Sequence, residues 1–181
     1  ERATIGVFDG IYTRMGAEDS LAKGLSTFLV ELSETSIILK NATERSLVII
    51  DELGRGTSTH DGMAIAMACL HYIAHSIRCV TLFTTHYLPV AKLADQFPNL
   101  IRNCHMGFHI AESQAAGAEG SEARARQNVT FLYQLKDGVC ENSYGMNVAR
   151  LAEVPAETVG RAEEKAIELI QKYRSEHQDR K

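Results

Sequence analysis

Two short, unbroken apolar runs, Ser46-Leu47-Val48-Ile49-Ile50 and Val80-Thr81-Leu82-Phe83, limit the fold of this chain more than any other feature. Neither alternates polar with apolar residues, and an unbroken run is the pattern of a strand buried on both faces. Between them, Asp61 to about Ser76 carries Ile65, Cys69, Tyr72 and Ser76 at helical spacing. A strand, a helix and a strand in so short a stretch make a βαβ unit, whose two strands run parallel. The expected class is α/β with a mixed, largely parallel sheet.

The flanking segments extend this pattern. Residues 3–15, broken by Gly6 and Gly10, predict short strands. Ser26 to about Asn41 predicts a helix with Phe28, Leu32 and Leu39 on its apolar stripe and Glu31 and Glu34 off it. Residues 113–127 are small, polar and aperiodic, and predict a mobile insertion. A strand at 129–135 resumes the fold, paired with 105–111. From Asn142, two helices flank Pro155, and the second aligns Val159, Ala162, Ala166, Leu169 and Tyr173. Two heptads are too few for a coiled coil, but they leave one face wanting a partner.

Composition narrows the function classes. With 45% apolar and 23% charged residues, the 181-residue chain is not wholly disordered. No apolar run approaches the ~20 residues of a bilayer span, so no membrane role is expected. Cys69, Cys79, Cys104 and Cys140 are widely spaced, which points to a reducing compartment rather than a disulfide framework or a zinc site. The net charge of −4 offers no basic footprint for gripping DNA. The first methionine is Met15 and no leader precedes it, so the chain reads as a piece of something larger.

The chemistry concentrates where the strands end. In parallel sheets, ligands bind beyond the carboxyl ends of the strands. Asp51 and Glu52 stand there, ahead of Leu53-Gly54-Arg55-Gly56-Thr57-Ser58-Thr59-His60-Asp61-Gly62. One carboxylate can hold magnesium through water, while a second orients or deprotonates an attacking water. The plainer alternative is that the pair merely ends a strand and caps a loop. His86 follows the second run in the matching position, where it can hydrogen-bond a phosphate or the same water. Ser26, after Gly24, opens a helix whose free N–H groups favour an anion, although a simple N-cap explains it equally well.

Other candidates are weaker. His71 and His75 lack the carboxylate of a metal-binding helix and are expected to be solvated. Cys104, His105 and His109 have no second half of a zinc site, and read as core or strand residues. The charges from Arg161 to Lys181 read as a solvated helix face. No G-x-x-x-x-G-K-[ST] phosphate loop occurs in these residues, so the site is either degenerate or completed by a cradle before Glu1.

Taken in order, D-G-I-Y-T-R-M-G, G-L-S-T-F, D-E-L-G-R-G-T-S-T-H-D-G, T-L-F-T-T-H-Y and N-S-Y-G-M-N-V-A-R-L-A resemble the C-terminal ATPase domain of the MutS family of DNA mismatch-repair proteins. Several stretches are most similar to its eukaryotic third branch, with the sixth a close alternative. The resemblance implies a partial ABC-type P-loop NTPase core over residues 1–140, with its N-terminal phosphate-loop part missing, and a helix-turn-helix dimerisation element over 141–181. It implies ATP and Mg2+, with Asp51 as the magnesium-associated carboxylate, Glu52 as the water activator and His86 as the γ-phosphate sensor. Ser26 would reach ATP held by the opposite subunit, with Gly24, Ser58 and Asp61 also contacting nucleotide. Leu25 departs from the polar residue common in the family and puts that interface contact in question. A second MutS-homologue subunit, mismatched or looped-out duplex DNA bound through other domains, and the nucleus are the implied partners and place. Two other readings are a dimerisation module with a decayed site and an ATPase head of chromosome-maintenance type. The latter carries an L-S-G-G signature in place of K-G-L-S-T-F.

Overall fold

Residues 2, 4–16, 26–111, 128–140 and 143–178 are described by the structure, a computed structural model. The expected insertion at 113–127, and Gly24 with Leu25, lie outside the described residues. Two compact units result, Glu1–Asn103 and Cys104–Lys181.

The first unit is mixed α/β. Strands β1 (Ile11–Arg14), β2 (Leu47–Asp51) and β3 (Val80–Thr84) form a parallel sheet in that order. Helices α1 (Thr27–Asn41) and α2 (Thr59–Tyr72) connect them. Two crossovers of one hand, stepping the same way across a sheet, place both helices on one face. The core lies there: Ile38 of α1 and Ile73, just past α2, close on Val48 and Ile50, with Tyr12 and Phe83 at the margin. A second cluster joins Ala66 of α2 to Tyr87, Val90 and Leu93. Val90 and Leu93 belong to the one-turn helices α3 (Leu88–Ala91) and α4 (Leu93–Gln96), too short for a periodicity window to register.

Three expectations need correcting. First, Val80 and Leu82 are 55% and 58% exposed, so the second apolar run is not buried on both faces. With both helices on one face of the sheet, β3 turns only Thr81 and Phe83 toward them. Second, α1 buries Glu31, Thr35 and Ile38, while Phe28, Leu32 and Leu39 flank that stripe half-buried. Third, Tyr72 and Ser76 are exposed, and the buried positions of α2 are Gly62 and Ala66. Tyr72 sits one residue before the buried Ile73, and Ser76 falls within a π-type turn over Ile73–Ile77, which breaks the 3.6-residue phase.

In the second unit, β4 (Cys104–Ala111) pairs antiparallel with β5 (Asn128–Asp137), as the sequence pattern anticipates. The register shifts between Met106 and Phe108. Helices α5 (Gly145–Leu151) and α6 (Ala156–Gln178) flank Pro155, whose carbonyl accepts from the Val159 N–H. Val159 is buried, whereas Leu169 on the same expected face is 66% exposed.

Candidate functional site

Asp51 and Thr84 are register partners at the carboxyl ends of β2 and β3. The Thr84 hydroxyl donates to Asp51 Oδ1, and the Glu52 N–H donates to the Thr84 carbonyl at 3.2 Å. These contacts fix the first residue of the loop against the neighbouring strand. Glu52 then adopts φ +47°, a left-handed conformation unusual for a glutamate. Arg55 Nη1 donates to Glu52 Oε2 at 2.9 Å, and His86 Nδ1 lies 3.9 Å from Glu52 Oε1. Asp51, Glu52 and His86 are therefore brought to one sheet edge, with Thr84 rather than His86 in the register position opposite Asp51.

The loop beyond Glu52 is anchored below. Leu53 is fully buried and Gly54 has φ +94°. A Cβ on Gly54 would run into the backbone of Gly62, the fourth residue of α2, so both positions require glycine. Gly54 donates its N–H to Glu31 Oε1 at 2.5 Å and accepts at its carbonyl from the Tyr87 hydroxyl at 3.0 Å. Arg14 is 4% exposed, with Nη2 3.6 Å from Glu31 Oε2. Its Nε is 3.3 Å from Glu34 Oε2, an ion pair by distance that is not aligned as a hydrogen bond.

Ser26, exposed, is the N-cap of α1, where its hydroxyl accepts from the Leu29 N–H at 3.2 Å. Gly56 packs on Phe28, two residues further along, so the loop lies against the start of this helix. Ser58 caps α2, donating to Asp61 Oδ2 at 2.9 Å and accepting from the Asp61 N–H at 3.3 Å. These three residues thus have local structural partners besides any role toward a ligand. His71 and His75 are exposed, their rings 5.8 Å apart, as expected of solvated residues.

The donor set at the strand ends is hard oxygen: the Asp51 and Glu52 carboxylates and the Thr84 hydroxyl. Among the described residues, no group of three or more His, Cys, Asp or Glu side chains could enclose a metal. That combination fits Mg2+, which binds through one or two carboxylates, waters and substrate phosphates rather than a protein cage. A hollow of about 420 Å3 beside Leu39, Thr43, Tyr72 and Ile77 lies by the segments leading into β2 and β3. It is at the wrong edge of a parallel sheet for the chemistry.

Sequence reasoning missed Glu31, Arg14, Arg55, Thr84 and Tyr87. Only Thr84 carried a signal, as the residue matching Asp51 in two aligned runs. Arg55 pairs locally with Glu52, three residues before it, while Glu31, Arg14 and Tyr87 depend on tertiary contacts that no local spacing encodes.

A family model described as MutS domain V matches residues 1–170. The chain belongs to the MutS domain V family. Its relatives include the human DNA mismatch repair protein Msh3, 50% identical over 93% of this chain and 15% of that protein. The Msh3 of Mus musculus is 50% identical over 93% of this chain and 16% of its own length. MSH3 of Coccidioides immitis is 53% identical over 96% of this chain and 15% of its own length. The chain thus spans about 15% of the length of these MutS relatives. The matched residues 1–170 include the strand-end residues, Ser26, all of α5 and α6 as far as residue 170.

Proposed function

We propose that this domain binds and hydrolyses ATP within a dimeric DNA mismatch-repair clamp, and that Asp51, Glu52 and His86 carry the chemistry. The observation behind this reading is their meeting at one sheet edge, on strands in register, in a MutS family chain.

Asp51, its carboxylate oriented by Thr84, would hold Mg2+ through water. The ion would neutralise charge on the phosphate oxygens, where phosphoryl transfer develops it. Glu52 orients the attacking water and accepts its proton. Its partner Arg55 is mostly exposed and can leave the carboxylate at little cost. His86, beside Glu52, hydrogen-bonds the terminal phosphate or the same water. Gly24, Ser58 and Asp61 contact nucleotide at the interface.

In this reading residues 1–140 form most of an ABC-type P-loop NTPase core, and 141–181 form a helix-turn-helix for dimerisation. The partner is a second MutS-homologue subunit. Mismatched or looped-out DNA is held by other domains, and the work is done in the nucleus. A phosphate loop with its lysine is not among these 181 residues. Turnover is therefore expected of the full-length protein and not of these residues alone.

Ser26 supplies the test of the dimeric part. In a dimer with one site at a time inactivated through its own Glu52 counterpart, Ser26→Ala should slow the partner's site more than its own. Slowing confined to its own chain would make Ser26 a helix cap and no more.

A further inference from the structure

We propose that Glu31 and Tyr87 are a positioning pair that clamps the Gly54 peptide and so sets the direction of the Glu52 carboxylate. The proposal rests on the reading of Glu52 as the water-activating base. Both polar groups of one glycine are held by buried side chains from different elements. Glu31 of α1 takes the N–H at 2.5 Å, and Tyr87, just beyond β3, gives its hydroxyl to the carbonyl at 3.0 Å. Glu31 and Tyr87 are 4% and 7% exposed. A hydrogen bond from a backbone amide to an ionised carboxylate in a dry interior is among the strong ones. Arg14, buried beside Glu31 with Nη2 3.6 Å from its second oxygen, supplies the opposite charge.

The clamp acts on Glu52 through geometry. Asp51 is fixed by β3, and Gly54 is fixed by Glu31, Tyr87 and the close approach of Gly62. Leu53, between, is sealed in the core. The chain from Asp51 to Gly54 is anchored at both ends, which imposes the left-handed φ that Glu52 would not adopt unaided. The Tyr87 ring also lies against His86, with centroids 4.2 Å apart, so one side chain steadies both functional groups. Glu31 and Tyr87 are both buried and act through the loop, with the Tyr87 ring also lying against His86.

The test uses the full-length protein with its partner subunit. Tyr87→Phe keeps the ring and its packing but leaves the Gly54 carbonyl without a donor. It should lower kcat about tenfold, the size of one lost buried hydrogen bond, with KM for ATP unchanged. In a Glu52→Gln background the same change should cause no further fall, because its effect passes through Glu52. Amide exchange should quicken in peptides covering Leu53–Ser58 while β2 stays as protected as in the wild type. Wild-type kcat in a folded Tyr87→Phe protein, or an equal loss in both backgrounds, overturns the proposal. Should Tyr87→Phe fail to fold, Glu31→Gln takes its place, with the same kcat, KM and exchange outcomes required. If Glu52→Gln itself leaves turnover intact, the reading of Glu52 fails; unchanged exchange across Leu53–Ser58 then separately removes the clamp.

Discussion

Glu31 on α1 and Glu168 on α6 begin alike, as acidic residues off the apolar stripe of a helix, and finish in opposite surroundings. Glu31 is 4% exposed, with Arg14 on one oxygen and the Gly54 amide on the other. Glu168 is 59% exposed in its side chain and pairs with Lys165 one turn away. The helices do not decide this. What lies opposite them does: α1 packs on a sheet whose next loop presents a backbone amide needing an acceptor, while this face of α6 meets solvent. A buried pair holds a loop in one place, whereas an exposed pair is exchanged for water at almost no cost.

That contrast can be broken most sharply at Glu31. Replacing it with Ala leaves the buried Arg14 with only Glu34 as a charged partner, besides the Gly16 carbonyl, and the Gly54 amide unpaired, so stability should fall by about 3–5 kcal/mol. Denaturant unfolding reads it, and a loss below ~1 kcal/mol would put Glu31 in the same class as Glu168. Next in size is Gly62→Ala, whose Cβ would push into the Gly54 carbonyl. Overpacking of this kind costs about 1–3 kcal/mol, and a crystal structure of the variant should show the 53–56 loop displaced.

The exposed region should barely respond. Hydrogen bonding from Lys165, followed by its charge, holds the Glu168 carboxyl below its ordinary 4.5. A carboxyl lowered by folding stabilises above its unfolded value and loses that contribution as pH falls through the folded one. The Lys165→Ala effect on a thermal melt should therefore be small at pH 7 and fade as pH drops below 4.5 and through the lowered folded value. It should also shrink in 1 M salt, where the Debye length is about 3 Å. An effect that persists in acid and salt would show that this pair is not acting as a surface ion pair.

The same contrast explains what was legible. The βαβ pattern, the β4–β5 pairing and the helices around Pro155 could be read because hydrophobic period and Pro are local signals. Asp51, Glu52 and His86 could be read because each follows the end of an apolar run. The buried face of α1 was misjudged because Glu31 behaves as a core residue only with Arg14 and Gly54 supplied by distant segments. Ser76 was misplaced because it lies in the π turn, which a fixed 3.6-residue window cannot represent. Val80 and Leu82 read as buried because a run of apolar residues does not say whether one face of its sheet is covered or both. Tyr87, next to the histidine that drew attention, gave no signal. Its role lies in a hydroxyl reaching a carbonyl 33 residues earlier in the chain.

The central claim is that Glu52 activates the water that attacks ATP, and a single-turnover measurement on the full-length dimer tests it most directly. Glu52→Gln preserves size and the capacity to hydrogen-bond Arg55, and removes only the basic oxygen. The chemical step should slow by about 10²–10⁴, the range for loss of a general base, while ATP binding with Mg2+ is retained. A wild-type single-turnover rate in that variant would contradict the account.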